Sequence, residues 1–333
     1  MIFDLANIWA FIIAFAVFAY VVMDGFDLGL GMLFPALDRG RERDTAMNSI
    51  APVWDGNETW LVLGGGGLMA VFPLAYSIVL SALYAPVIAM ILGLIFRGVA
   101  FEFRWRHAGH QAFWDGGFAA GSFTAAFAQG VILGAMLQGI DVVDRSYAGG
   151  WWDWLTPFTL LTGASVALGY ALMGSAWLIL RTTDSLQEKA FRFAKWLAAA
   201  TVLCILAVSV ATPLLKQNYW QHWFAFPGVL AAAQVPLLVA IVTLLLFRAL
   251  ARRAERLPFF LTLALFLLCF VGLGISFHPD IVPGAVTIEA GAAPEKSLEF
   301  LLIGACALIP LIISYSAWAY WVFRGKVGHE GYH

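Results

Sequence analysis

Nine apolar runs, each about 20 residues or longer, follow one another along the chain. They span 5–34, 48–72, 75–103, 112–138, 157–181, 190–212, 225–250, 257–277 and 298–323. About 20 mostly apolar residues suffice for a helix to cross a bilayer core. The expected fold is therefore all-α, a polytopic membrane protein of nine transmembrane helices forming one transmembrane domain over residues 1–333. Several runs exceed 20 residues, which implies tilt or extension past the hydrocarbon. Pro86, Pro236 and Pro310 fall inside runs, where membrane helices tolerate proline as kinks. Only 12% of residues are charged, against about 25% in soluble domains. The first run has no basic n-region or small-residue cleavage site before it, so it reads as a retained helix rather than a signal peptide.

The distribution of basic residues orients the bundle. With the N-terminus periplasmic and the C-terminus cytoplasmic, one set of connections carries Arg39, Arg41, Arg43, Arg104, Arg106, Arg181, Lys189, Arg192, Lys195, Arg248, Arg252, Arg253, Arg256, Arg324 and Lys326. The other set carries only Arg145, Lys216 and Lys296. A bias of 15 to 3 is strong under the positive-inside rule. The connections are short, which leaves no room for a soluble domain, and the longest outer one is HPDIVPGAVTIEAGAAPEKS. The net charge of −2 points to no partner, and no nucleic-acid partner is expected.

Polar residues inside such runs are the informative ones. WDGNETW, residues 54–60, places Asp55, Asn57, Glu58 and Thr59 between two tryptophans. Counting depth from the run ends puts Asp24, Asp27, Asp55, Glu58, Arg97, Glu102 and Arg104 in one layer near the cytoplasmic end. Asp24 and Asp27 are spaced i,i+3, as are Asp55 and Glu58, so each pair shares a helix face. An Asp at a membrane-helix centre costs about 2.5–3.5 kcal/mol on the insertion scale. These acids should therefore face the bundle interior, a watery cavity or a partner rather than lipid. Asp38, Asp44 and Arg104 read as interfacial ion pairs or caps. Gly25 and Gly29 form a small-xxx-small pair for close helix approach, and Gly64 to Gly67 are expected to mark close packing.

The chain shows no catalytic centre of its own. Its histidines are His107, His110, His222, His278, His329 and His333, all in connections, at helix ends or in the tail. A haem-bearing subunit would present histidines within its helices. Cys204, Cys269 and Cys306 are isolated in apolar runs, with no metal-binding spacing. No Walker A, GxGxxG, HExxH or nucleophile elbow is present. A chain of this kind is expected to be one part of a complex.

MDGFDLGLGM, NSIAPVWDGNETW and IFRGVAFEFRWR together resemble subunit II of the cytochrome bd-type quinol oxidases. The likeness continues through GSFTAAFAQGVILGAMLQG and PLIISYSAWAYWVFRG, and nine spans fit that family. Short outer loops and FRGVAFEFRWR look more like its cyanide-insensitive branch. The resemblance implies a bacterial inner-membrane complex, in the translocase class, that oxidises quinol and reduces dioxygen to water. Haem d and two b-type haems would be ligated by subunit I, the main partner. It also allows a small single-helix accessory subunit and a structural quinone or lipid bound to this chain. Asp55 would carry over to a cytoplasmic proton route, with Glu58, Asp24 and Asp27 beside it. Trp60 would lie by an oxygen-access path, and Trp54 and Asn57 match the motif around it. Arg97, Glu102 and Arg104 would serve ion pairing or partner contact. Two other readings compete: a cation-coupled secondary transporter using Asp24, Asp27 and Asp55, and a purely structural assembly subunit.

Overall fold

In the computed structural model, residues 4–106 and 108–327 are described. A backbone in hydrocarbon must satisfy its own hydrogen bonds, and a helix does so within one segment. The chain accordingly folds as α1 (Leu5–Leu33), α2 (Arg41–Asn48), α3 (Trp54–Val71), α4 (Pro73–Ala82), α5 (Tyr84–Arg106) and α6 (Gln111–Gln138). A small antiparallel hairpin, β1 (Val142–Val143) and β2 (Ser146–Tyr147), leads to α7 (Pro157–Arg181) and α8 (Asp184–Leu215). Then come α9 (Gln217–Phe224), α10 (Gly228–Ala232), α11 (Gln234–Ala251) and α12 (Leu257–Phe277). A second hairpin, β3 (Asp280–Val282) and β4 (Val286–Thr287), precedes α13 (Ile288–Gly291) and α14 (Glu295–Val322). The all-α expectation therefore needs two short hairpins added, both in connections. The 278–297 stretch is a packed cap of strand and helical turn rather than a plain loop.

Local signals explain several starts. Asp4 caps α1 by accepting from the Asn7 backbone N–H at 2.7 Å. Thr156 and Thr159 form a reciprocal capping box before α7, with Pro157 in the first turn, a position that needs no N–H.

The expected helix over 75–103 is broken. The chain bends by 117° between α3 and α4, and a second break at Leu83 separates α4 from α5. Pro73 occupies the first turn of α4 and lacks the N–H that would continue α3. The Val71 carbonyl freed there accepts from the Ala293 N–H at 2.8 Å. Helix α4 then packs through Ala75, Ile78 and Ala82 on Val282, Val286, Ile288 and Leu298. It is thus a cap on one end of the bundle, not part of a span. Eight helices of the described residues are long and apolar enough to cross a membrane. The 18-residue α3 is about 27 Å long at 1.5 Å per residue but is not among those eight by itself; counting the bent α3–α4 pair as one span brings the number to nine.

The basic connections gather at one end, as the alternation requires. Lys189 pairs with Asp38 at 2.6 Å and Glu42 at 2.8 Å, and Lys326 with Glu255 at 2.8 Å. Arg253 pairs with Glu188, and Arg181 donates to the Phe323 carbonyl. Both hairpins and α13 lie at the other end. Helix α7 is the hub, with 72% of its most apolar stretch buried, whereas the span over residues 228–251 (α10 and α11) and α14 bury only 6% of theirs and turn their apolar faces outward.

Glycine crossings draw the helices together, among them Gly130 of α6 on the Thr162–Gly163 backbone of α7. A Cβ on Gly29 would collide with the Tyr170 carbonyl, and one on Gly174 with the Gly29 backbone, so α1 and α7 meet backbone to backbone. Gly93 and Gly121 do the same for α5 and α6. The 64–67 run behaves otherwise than expected: Gly64 and Gly67 face Val17 and Ile13 of α1, but Gly65 and Gly66 face open space.

Gly29→Ala should therefore lower stability by about 1–3 kcal/mol through overpacking, while Gly65→Ala should change little, both read from thermal unfolding of detergent-solubilised protein. The basic end carries a pH signature. Partial burial pushes the Glu42 carboxyl up, but hydrogen bonds from Lys189, the Asp38 N–H and Ser185 outweigh it and hold it below its ordinary value. A depressed carboxylate adds stability above its unfolded pKa that is lost as pH falls through the folded one. Acidification should weaken the fold here by less than about 1 kcal/mol, and Glu42→Gln should remove that component of a stability–pH curve.

Candidate functional site

The last turns of α1 carry the most deeply buried acids. Asp24 and Asp27 are both 0% exposed, held on one face by their i,i+3 spacing. Arg97 of α5 reaches them from the Gly93–Gly121 crossing. Its Nη1 donates to Asp24 Oδ1 at 2.6 Å and its Nη2 to Glu58 Oε1 at 2.7 Å. The guanidinium also lies 5.7 Å from the Trp54 ring, and Trp54 packs on Phe101 at 4.9 Å. One guanidinium thus ties α1, α3 and α5 together. Exposure falls along the chain of contacts, from 29% for the Glu58 side chain to 0% for Asp24.

Asn57 links the second acid to a distant helix. Its Nδ2 donates to Asp27 Oδ2 at 2.7 Å and to the Met23 carbonyl at 3.1 Å. Its Oδ1 accepts from the Tyr320 hydroxyl of α14 at 2.9 Å. Asp24 Oδ2 and Asp27 Oδ1 remain buried with no partner among the described residues. One turn before Asp24, Tyr20 accepts from Gln129 Nε2 at 2.9 Å, and Tyr170 donates to Gln129 Oε1 at 2.8 Å. The polar network therefore reaches from α3 through α1 to α6 and α7.

The expected layer of seven splits into three groups. Asp24, Asp27, Glu58 and Arg97 meet. Arg104 belongs to a separate cluster, donating to Asp115 Oδ1 at 2.6 Å and approaching Asp44 Oδ1 at 2.8 Å, a Coulombic contact too oblique for a hydrogen bond. Arg43 completes that cluster on Asp115 Oδ2 at 2.6 Å, and both guanidiniums flank the Phe34 ring at 5.4–5.5 Å. Asp55 and Glu102 are exposed and form no ion pair among the described residues. Glu102 therefore does not supply the in-chain ion pairing expected of it, because its position on α5 faces away from the cluster. Asp55 still lies near enough to Glu58 to act on it electrostatically. Sequence reasoning missed Asp115, whose signal was an acid inside the apolar run in WDG, the tripeptide also found at 54–56. It also missed Gln129 and Tyr320.

Trp60 is 2% exposed and meets Phe15 edge-on at 5.6 Å, in a small cluster with Ala16, Ala19 and Tyr20. Its Nε1 has no partner among the described residues. For a haem the fit is poor. His110 and His278 are exposed at helix ends; His107, His329 and His333 lie outside the described residues, and the His222 side chain is not described. Among the described residues no three His, Cys, Asp or Glu side chains are placed to hold a metal ion.

What the site can do is exchange protons: it joins a half-exposed carboxyl to buried ones in a water-poor bundle. Its integrity should depend on Arg97. Arg97→Gln leaves Asp24 uncompensated and should cost about 3–5 kcal/mol. Adding Asp24→Asn should recover part of the loss, a non-additivity of about 0.5–3 kcal/mol, both visible as shifts in thermal unfolding.

Similarity to known proteins accords with this arrangement. A family model described as cytochrome bd terminal oxidase subunit II matches residues 5–323. The chain is 30% identical to cytochrome bd-I ubiquinol oxidase subunit 2 of Escherichia coli strain K12, covering 97% of this chain and 95% of that protein. It is 29% identical to cytochrome bd ubiquinol oxidase subunit 2 of Bacillus subtilis strain 168, covering 98% of each. The bd oxidase structure from Geobacillus thermodenitrificans superposes with a TM-score of 0.79 at 17% identity, over 96% of this chain and 98% of that one, which establishes a shared fold. The chain belongs to the cytochrome bd terminal oxidase subunit II family.

Proposed function

We propose that this chain is the subunit of a bacterial inner-membrane quinol oxidase that does not ligate haem and that carries protons inward from the cytoplasmic side. Membership of the family makes it part of an oxidoreductase complex with a subunit I partner and haems in that complex. In our reading subunit I ligates the haems, quinol and dioxygen are the substrates of the whole complex, and dioxygen is reduced to water by four electrons. The basic end of the bundle faces the cytoplasm under the positive-inside rule. Electrons from outer-side quinol and protons from the cytoplasm then build a membrane potential without a pump.

The observation that carries this reading is the graded set around Arg97. Asp55 is exposed and close to Glu58, Glu58 is half-buried on Arg97, and Asp24 is fully buried on the same guanidinium. Arg97 itself does not release a proton; it holds two carboxyl groups near each other. Asp27 stands one turn on, with a free oxygen. Three carboxyl groups share one cation, and a buried set with that excess of acid accommodates protons rather than bare charge. Trp54 and Asn57 brace the set, while Trp60 of α3, buried against the apolar side chains of α1, suits a path for dioxygen.

A structural subunit is the second reading, because Arg97 also locks three helices. Asp55 separates the two, having no ion pair to lose among the described residues. In the purified oxidase, Asp55→Asn should leave assembly and the reduced-minus-oxidised haem spectrum unchanged and lower quinol-driven oxygen consumption by about a hundredfold or more, the scale of a lost acid–base group. Normal turnover in that variant would exclude Asp55 from the route.

A further inference from the structure

Beside the acid set, where α7 and α14 meet the α2–α3 connection, lies a small cavity of about 10 Å³ lined by Ser49, Trp177, Arg181 and Tyr320 among others. Its polar groups are unevenly satisfied. Arg181 spends Nη2 on the Phe323 carbonyl and lies over the Trp177 ring at 5.2 Å, but its Nε–H is buried with no acceptor. Ser49 Oγ donates to the Ala46 carbonyl at 2.6 Å and accepts from Trp177 Nε1 at 3.1 Å, which leaves one lone pair. The Tyr320 hydroxyl has its proton committed. The Met23 carbonyl can only accept, so it fixes Nδ2 of Asn57 on that side and turns Oδ1 to Tyr320, which must donate. The Tyr320 oxygen therefore has lone pairs to offer, and it lies within electrostatic reach of the Arg181 guanidinium.

One orphan donor and two spare acceptors around a space of this size match the needs of a single buried water, which takes about 10–15 Å³ and two to four polar partners. We propose that one ordered water occupies this cavity, accepting from Arg181 Nε–H and donating to Tyr320 and Ser49, and that Tyr320 is a positioning residue that holds Asn57 on Asp27. The branch orients rather than conducts: an amide gives up no proton while it stays an amide, so Asn57 separates the water from Asp27 as well as linking them. The positioning role rests on the proton-carrying reading of Asp27; the water site does not.

A density map of the intact oxidase that resolves ordered waters decides the first half. The expected result is one peak within hydrogen-bond distance of Arg181 Nε and the Tyr320 oxygen. An empty or collapsed cavity overturns it. Infrared difference spectra of the same complex decide the second half. The carboxyl band identified by its loss in Asp27→Asn should shift in Tyr320→Phe, with haem content unchanged; a band that stays in place overturns the positioning role. If Asp27→Asn removes no band, the proton-carrying reading of Asp27 and the positioning role fail together, and a water peak in the map still stands.

Discussion

The guanidinium of Arg97 is the point on which the rest of the bundle depends. A cation that is 1% exposed among apolar helices is tolerable only when paired and hydrogen-bonded. Asp24 and Glu58 supply the pairing from two different helices, at 2.6 and 2.7 Å. Their positions follow from backbone contacts. Gly93 and Gly121 bring α6 against the turn of α5 that carries Arg97, and Gly29 and Gly174 press the acid-bearing turns of α1 onto α7. Removing a side chain at these crossings is what makes room for a charge at the centre.

Among the described residues two ion clusters are buried, and their balance distinguishes them. Arg43 and Arg104 face Asp44 and Asp115, two against two. With Phe34 between the cations, that cluster fastens the first basic connection to α5 and α6. Around Arg97 the count is one cation to three acids, with two carboxylate oxygens buried and unpartnered. Balanced charges hold a structure; an excess of acid in a dry place invites protons. The same contrast separates Arg104 from Arg97, which lie two turns apart on one helix.

Much of this was legible in the chain. The length of the apolar runs set the crossings, the arginine distribution set which ends meet, and depth counting brought Asp24, Asp27, Glu58 and Arg97 to one level. Depth counting does not see rotation about a helix axis, so it also admitted Asp55 and Glu102, which face outward, and Arg104, which pairs elsewhere. The run 75–103 looked like one straight helix because α4 and α5 are both apolar; its break at Leu83 goes with the cap that α4 forms with the β3–β4 connection, and Pro73 breaks the chain just before the run. Contacts across long separations left no local trace. Tyr320 meets Asn57 263 positions away, and Gln129 meets Tyr20 109 positions away.

On this reading the acids around Arg97 carry protons rather than only hold helices. Proton uptake during a single reaction of the fully reduced oxidase with dioxygen, followed with a pH dye in Asp24→Asn and wild-type complexes of equal haem content, tests it most directly. Uptake should slow in the variant while the electron transfer that precedes it keeps its wild-type rate. Uptake at the wild-type rate would contradict it and leave Asp24 as a structural partner of Arg97.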